Sequence, residues 1–341
     1  MNSESHLHGI AVLLACLAWA ATAMADTGAR PATLRIATVA PVGSSFDKRL
    51  QALNSEWSRG PGQVRMDVYA GGSMGGELAI VRRLKQGQLQ GAMLTSVGLG
   101  QIDRSVTALQ LMPLMFHDWE DVDLAREHLR PELERRLYAA GYVVLFWADA
   151  GWVRFFSRTP IEGAADLKTM RVLASDGDPD SIALMKAYYT PVVVEPDKVY
   201  LSLRNKMIDA APIPPFLANA MQVATVAPYM VDLRWVPITG AMIVSRSAWE
   251  ELDPAARKWI RESSERAGTD LRRITRAEDE QAIKAMQDKQ GLKVIRLSAD
   301  AERIWRQEVS RMYPAIRGRL VPEEMFDEVV RILGQDARTA P

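Results

Sequence analysis

Leu34-Arg-Ile-Ala-Thr-Val-Ala-Pro-Val-Gly-Ser-Ser-Phe46 decides the fold class, because the hydrophobic period changes inside it. Leu34 and Ile36 alternate with the period of two that belongs to a strand. Pro41-Val-Gly-Ser-Ser45 breaks that run, and Phe46, Leu50, Leu53 and Trp57 recur at helical spacing behind a serine cap. The alternation then repeats downstream. Val64, Met66 and Val68 mark a second strand, ended by Ala70-Gly-Gly-Ser-Met-Gly-Gly76, and Leu78, Val81 and Leu84 form the next helical face. After the turn glycines Gly87 and Gly91, Ala92-Met-Leu-Thr95 has the character of a short buried strand. This β-α-β-α-β order is the mark of an α/β architecture.

Further along, a helix carrying Leu129, Leu133 and Leu137 ends at Gly141, and Tyr142-Val-Val-Leu-Phe-Trp147 follows as a fully buried strand. A second set begins with a strand near Val153 to Phe156, a loop at Thr159-Pro160, a strand from Met170 to Leu173 and a helix from Ser181. Two α/β units therefore share one chain. Asp253-Pro254 opens a capped helix, with Asp as N-cap and Pro at the first helical position. Its apolar stripe, Trp259, Leu271, Ile274, Ile283 and Met286, runs to Gly291, with Gly268 as a candidate kink. A helix of about 35 residues far exceeds the usual dozen, and it is long enough to bridge two lobes.

Composition narrows the function. Lys plus Arg is 42 and Asp plus Glu is 42, so no global field favours nucleic acid or an anionic membrane surface. The only cysteine is Cys16, which excludes a disulfide, thiol catalysis or a Cys-rich metal site in the body of the chain. The apolar run from Gly9 to Ala25, ending in Ala23-Met-Ala25, reads as a signal peptide cleaved after Ala25. Leu13-Leu14-Ala15-Cys16 also fits a lipoprotein box, so lipidation of Cys16 is a second reading. An exported, neutral, cysteine-free chain points to a bacterial periplasm.

The chain offers few catalytic groups. His128 lies on an Arg- and Glu-rich helix, as a solvated residue would. His117 in Phe116-His-Asp-Trp119 is either an acid/base partner of Asp118 or part of a turn with local side-chain bonds. No Glu-x-x-His or His-Cys spacing offers a metal site, and no Gly-x-Ser-x-Gly elbow is present. Gly71-Gly-Ser-Met-Gly-Gly-Glu77 lacks the Gly-Lys-Ser/Thr ending of a phosphate loop, and reads better as a turn lining a cleft. No cofactor is implied.

Two arginines stand out. Arg154 lies among Trp152, Val153, Phe155 and Phe156, and Arg171 between Met170 and Val172. An arginine in an apolar strand is costly unless a carboxylate or ligand pairs with it, and its planar fork suits a bidentate carboxylate. An internal salt bridge or exposure on a polar face explains the same pattern equally well.

Seven segments, in order, resemble the substrate-binding component of TRAP transporters, the DctP-like family. They are Leu34-Arg-Ile-Ala with Gly43-Ser-Ser-Phe46, Gly72-Ser-Met-Gly-Gly-Glu77, Leu84-Lys-Gln-Gly-Gln-Leu89, Met112-Pro-Leu-Met-Phe116, Thr159-Pro-Ile-Glu-Gly-Ala-Ala-Asp-Leu-Lys168, Met170-Arg-Val172, and Val199-Tyr-Leu-Ser-Leu203 with Ile208-Asp209. The resemblance covers nearly the whole chain after the leader. It implies a two-lobed periplasmic binding protein of type II-like α/β fold, with a mixed sheet flanked by helices in each lobe and a long lobe-spanning helix. Such a protein closes on a small solute and delivers it to a membrane permease. The expected boundaries are a signal peptide at 1–25, lobe I at 26–150 plus about 236–265, and lobe II at 151–235 plus about 280–300. The bridging helix would occupy about 254–290, and 301–341 would form C-terminal helices.

Carried over residue by residue, the resemblance makes Arg171 the arginine that pairs with the substrate carboxylate, and Arg154 a second one near it. Phe46, Glu77, Thr95 and Ser96 fall on positions facing the cleft from the first lobe. The chain departs from the family at Ala210-Ala-Pro-Ile213-Pro214, where an Asn that touches ligand is commonly found, at Thr169 in place of a glycine, and in Ala187-Tyr-Tyr-Thr-Pro191, which lacks the expected glycine. The stretch from Ile213 to Gly240 is similar to a branch associated with a tetratricopeptide-repeat partner and suspected of carrying more hydrophobic ligands. Trp152, Ile213, Phe216 and Trp235 would give an apolar wall opposite Arg171, or else they are core residues. The expected solute is an organic acid, amphiphilic if the wall is real. Two other readings stay open: a cleft enzyme using Glu77 with Asp149 or Asp209, and a stand-alone sensor or scavenger.

Overall fold

The change of period at Pro41 is a change of element. The computed structural model describes residues 32–174 and 179–334, so the leader, its cleavage at Ala25 and Cys16 lie outside the described residues. Strand β1 (Thr33–Thr38) leads to helix α1 (Ser45–Trp57), where the Ser44 side chain accepts from the Asp47 amide and Phe46, Leu50, Leu53 and Trp57 are buried. Strand β2 (Arg65–Tyr69), α2 (Glu77–Lys85), β3 (Gly91–Thr95), α3 (Ser96–Gly100), α4 (Trp119–Ala139) and β4 (Tyr142–Trp152) follow.

The chain then crosses into a second unit. It contains β5 (Arg154–Ser157), α5 (Ala164–Leu167), β6 (Arg171–Ala174), α6 (Pro179–Met185), β7 (Thr190–Val193), α7 (Val199–Arg204), β8 (Ala210–Ile213), α8 (Pro215–Ala220) and β9 (Tyr229–Val231). It returns with β10 (Pro237–Ser245) and α9 (Arg246–Glu250) before the long helix α10 (Pro254–Gln290). Strand β11 (Lys293–Ile295) and helices α11 (Ala299–Ser310), α12 (Tyr313–Ile316) and α13 (Glu323–Ile332) complete the described chain.

Two mixed sheets form, ordered β2-β1-β3-β10-β4 and β11-β9-β5-β8-β6-β7. In the first, β1, β2 and β3 are parallel and β10 runs against both β3 and β4, so β4 points the same way as β3. In the second, β6, β7 and β8 are parallel. Phe46, beyond the carboxyl end of β1, meets Phe216, beyond the carboxyl end of β8, so these strand ends lie toward one another, at the kind of place where open α/β sheets bind ligands. The chain passes from one sheet to the other between β4 and β5 and again between β9 and β10, and α10 packs against both β4 and α8. Asp253 caps α10 by accepting from the Ala255 and Ala256 amides, and Gly291 ends it at φ 75°.

The candidate kink at Gly268 is not one, because α10 is continuous through it. A side chain there would meet Phe146 of β4 at 2.7 Å, so the glycine serves a close approach of helix to sheet.

Candidate functional site

Arg154 opens β5 at the end of the second sheet that faces the first lobe, directly across from Ile213 at the end of β8. It is 2% exposed. Asp232 approaches its Nη2 at 3.9 Å, beyond hydrogen-bond reach, and Nε and Nη1 find no acceptor among the described residues. Burial pulls the guanidinium pKa below its ordinary value, with Asp232 and Asp279 opposing. A buried cation with two free donors is costly, and that cost points to an anion.

A carboxylate lies nearby. Asp279 of α10 is 2% exposed and accepts from the Trp152 amide at 3.1 Å and, more loosely, from the Phe216 amide at 3.4 Å. Burial pushes its pKa up to about 6, against the pull of those amides and of Arg154. Gly151, at φ 84°, lets the carboxylate in, since a Cβ there would stand 2.6 Å from Oδ1. Phe216 at the start of α8 meets Phe46 at the start of α1 with ring centroids 6.3 Å apart, a contact between the lobes. Beside it, the Ser45 hydroxyl donates to Glu278 of α10.

The structure corrects the premise for Arg171. It is exposed, and its Nε and Nη2 each donate to Asp209 at 2.9 Å, with its amide donating to the same carboxylate at 3.0 Å. Arg158 adds a third cationic contact to Asp209, at 3.3 Å. The Asp209 pKa is lowered chiefly by the hydrogen bond from Arg171. Arg171 is the first residue of β6, in an outward position, so its partner is internal and no ligand is required to satisfy it.

The first-lobe candidates are also engaged internally. The Glu77 oxygens accept from the Thr95 amide at 2.6 Å and the Thr95 hydroxyl at 2.7 Å. Burial nevertheless raises the Glu77 pKa. Ser96 is fully buried and shares a hydrogen bond of 2.6 Å with Thr239. These contacts lock the glycine-rich turn to the end of β3.

The proposed apolar wall divides. Phe46 and Phe216 meet beside Asp279, and Ile213 flanks Arg154. Trp152 is buried against Trp119, 5.0 Å away, with the Arg234 guanidinium 5.8 Å from its ring. Trp235 packs with Phe155 and Trp305 against α11. Phe155 and Arg154 are neighbours in one strand and point to opposite faces, so Trp235 stands on the face away from Arg154.

The nominated acid/base carboxylates do not pair with one another. Asp149 accepts from Arg126 at 2.8 Å and from Arg276 at 2.6 Å, Asp209 is held by Arg171, and Glu77 by Thr95. His117 contacts Asp121 at 2.9 Å rather than Asp118, which instead caps α4. Among the described residues no cluster of ligating side chains suited to a metal is present.

Asp279 was not among the sequence candidates. Its signal is its place in the buried stripe of α10, in step with Leu271, Thr275, Ala282 and Met286.

Comparison with known proteins bears on the family and the fold. Residues 36–318 match the family described as DctP, bacterial extracellular solute-binding protein, family 7. The protein YiiZ of Salmonella typhimurium, uncharacterized, is 23% identical over 206 residues, 58% of this chain and 62% of that protein. The match thus spans less than two thirds of that relative. A TRAP periplasmic solute-binding protein from Chromohalobacter salexigens with bound D-glucuronate superposes with TM-score 0.79 at 19% identity, over 90% of this chain and 100% of that one. One from Shewanella oneidensis with bound succinate gives 0.80 at 15%, over 89% and 99%. DctP7, a receptor from Bordetella pertussis binding pyroglutamic acid, gives 0.79 at 16%, over 89% and 99%. At these identities the likeness is one of fold.

Proposed function

The chain belongs to family 7 of the bacterial extracellular solute-binding proteins, the DctP family, and from that premise we propose that it captures a carboxylate-bearing organic solute in the cleft and passes it to a TRAP-type permease. The observation that carries the carboxylate is Arg154, a buried cation at the cleft end of β5 with two donors lacking acceptors. A solute carboxylate accepts from the unpaired donors of this guanidinium, and closure removes the charge from water, which strengthens the pairing. Phe46, Phe216 and Ile213 supply the apolar surroundings, which favour an amphiphilic acid over a small dicarboxylate. The solute leaves unchanged, because Glu77, Asp149 and Asp209 are each committed to other partners. The structures with bound glucuronate, succinate and pyroglutamic acid lend the same chemistry support by analogy. Export to the periplasm after cleavage at Ala25, and a tetratricopeptide-repeat partner, belong to the same proposal.

Calorimetry tests it, with succinate, D-glucuronate and pyroglutamate set against aryl and alkyl monocarboxylates. Arg154→Gln should weaken binding at least about a hundredfold. Each hydrogen bond to a charged group contributes about 1.5–3 kcal/mol, and a tenfold change in affinity is about 1.4 kcal/mol. Arg171→Ala should bind as wild type does. Full affinity in Arg154→Gln would remove the anchor, and binding of succinate alone would remove the amphiphile.

A further inference from the structure

Glu278 and Asp279 are consecutive residues of α10 at the junction of the two sheets, and Asp279 also accepts from the Trp152 amide at the end of β4. Glu278 receives the Ser45 hydroxyl from the start of α1, and Asp279 receives the Phe216 amide from the start of α8. The Phe46–Phe216 contact closes over this point. Asp279 therefore owes its burial to both lobes, and separating them would wet it. Its charge has no ion pair among the described residues. Arg154 acts on it only at a distance, and Glu280 opposes its ionisation.

The other charged groups around the pair have contacts of their own. Asp232 stands 3.9 Å from Arg154, and Arg234 stacks over Trp152 and donates to the His117 carbonyl. Arg276, one turn before Asp279, is spent on Asp123 and Asp149. Asp47 of α1 accepts from the Gly43 amide, and α8 contains no ionisable residue. A solute carboxylate on Arg154 would thus bring a second negative charge into a dry site already holding one.

We propose that closure of the cleft is coupled to uptake of one proton by Asp279, so that its charge and the charge of the solute are not buried together. The inference rests on the reading of a closing, carboxylate-binding cleft. The sign follows from linkage. The closed form, in which burial raises the Asp279 pKa to about 6, holds a proton more tightly than a hydrated form near the ordinary 3.8. Lower pH favours closure, and higher pH favours opening and release.

Small-angle X-ray scattering on the solute-free protein reads this directly. The radius of gyration should shrink as pH falls from about 8 to about 5, while Asp279→Asn, permanently neutral, should keep one compact value throughout. A wild-type radius that does not change, or the same transition in Asp279→Asn, would overturn the coupling. Should that variant fail to fold, Arg154→Gln serves instead. Loss of the nearby positive charge should move the transition to higher pH, and an unmoved transition would also overturn it. Because no solute is present, failure here leaves the carboxylate assignment standing, and failure of the calorimetry leaves this measurement decisive.

Discussion

An ionised carboxylate in the place of Asp279 lowers stability at neutral pH. Its folded pKa of about 6 lies above the ordinary 3.8, so the native state binds more protons than the unfolded state between those values. Stability from this group is full below about pH 4 and falls as pH rises toward 6. At roughly 1.4 kcal/mol per pH unit the loss is at most about 3 kcal/mol. Asp209 and Asp123 behave oppositely. Hydrogen bonds from arginine hold their pKa values below 3.8, and their contribution is lost as pH falls. Chemical denaturation of wild type and Asp279→Asn across this range separates the two trends. The variant should gain on wild type as pH rises from 4 to 6 and hold that gain above it. A constant difference would show that Asp279 titrates normally.

Helix α10 gives that residue its position, and it does so by packing rather than by propensity. Ala267, Gly268, Leu271, Thr275, Asp279, Ala282 and Met286 are buried along one side, and Gly268 admits Phe146. Gly268→Ala should raise intrinsic helicity by about 1 kcal/mol. The added methyl would stand 2.7 Å from the Phe146 Cβ, and overpacking of that kind costs about 1–3 kcal/mol. The expected net result is a lower Tm, and a raised Tm would mean that the helix can move away from β4. The helix shows what could be read in the sequence and what could not. Its caps at Asp253 and Gly291 are local signals and were legible, as was the alternation of strands and helices around Pro41. Asp279 was harder, because in a helix rich in acidic residues only its phase within the stripe marks it as buried. The difference between Arg154 and Arg171 was not legible. Both sit among apolar strand residues, and what separates them is Asp209, brought to Arg171 from 38 residues away through the pairing of β6 with β8. Spacing along the chain carries no trace of that contact.

For the molecule as a whole, a formal net charge of zero means that an anionic solute is not drawn in by a long-range field. Charge acts locally instead, and it does so at a second point where the lobes meet. Asp180 of α6 accepts from Arg104, in the segment after α3, at 2.8 Å and from Arg319, after α12, at 3.3 Å. All three side chains are about half exposed, so salt screens them readily. Opening of the cleft would have to break such a clasp, and it should therefore act on release rather than capture. Stopped-flow measurements at increasing ionic strength should find an association rate that barely changes, and a dissociation rate that rises with salt. In Arg104→Ala the dissociation rate should start severalfold higher at low salt and lose most of its salt dependence. An association rate that fell steeply with salt would show that a field steers the solute after all. A dissociation rate unaltered in Arg104→Ala would mean that closure is held by the Phe46–Phe216 contact and the buried charges near Asp279 alone.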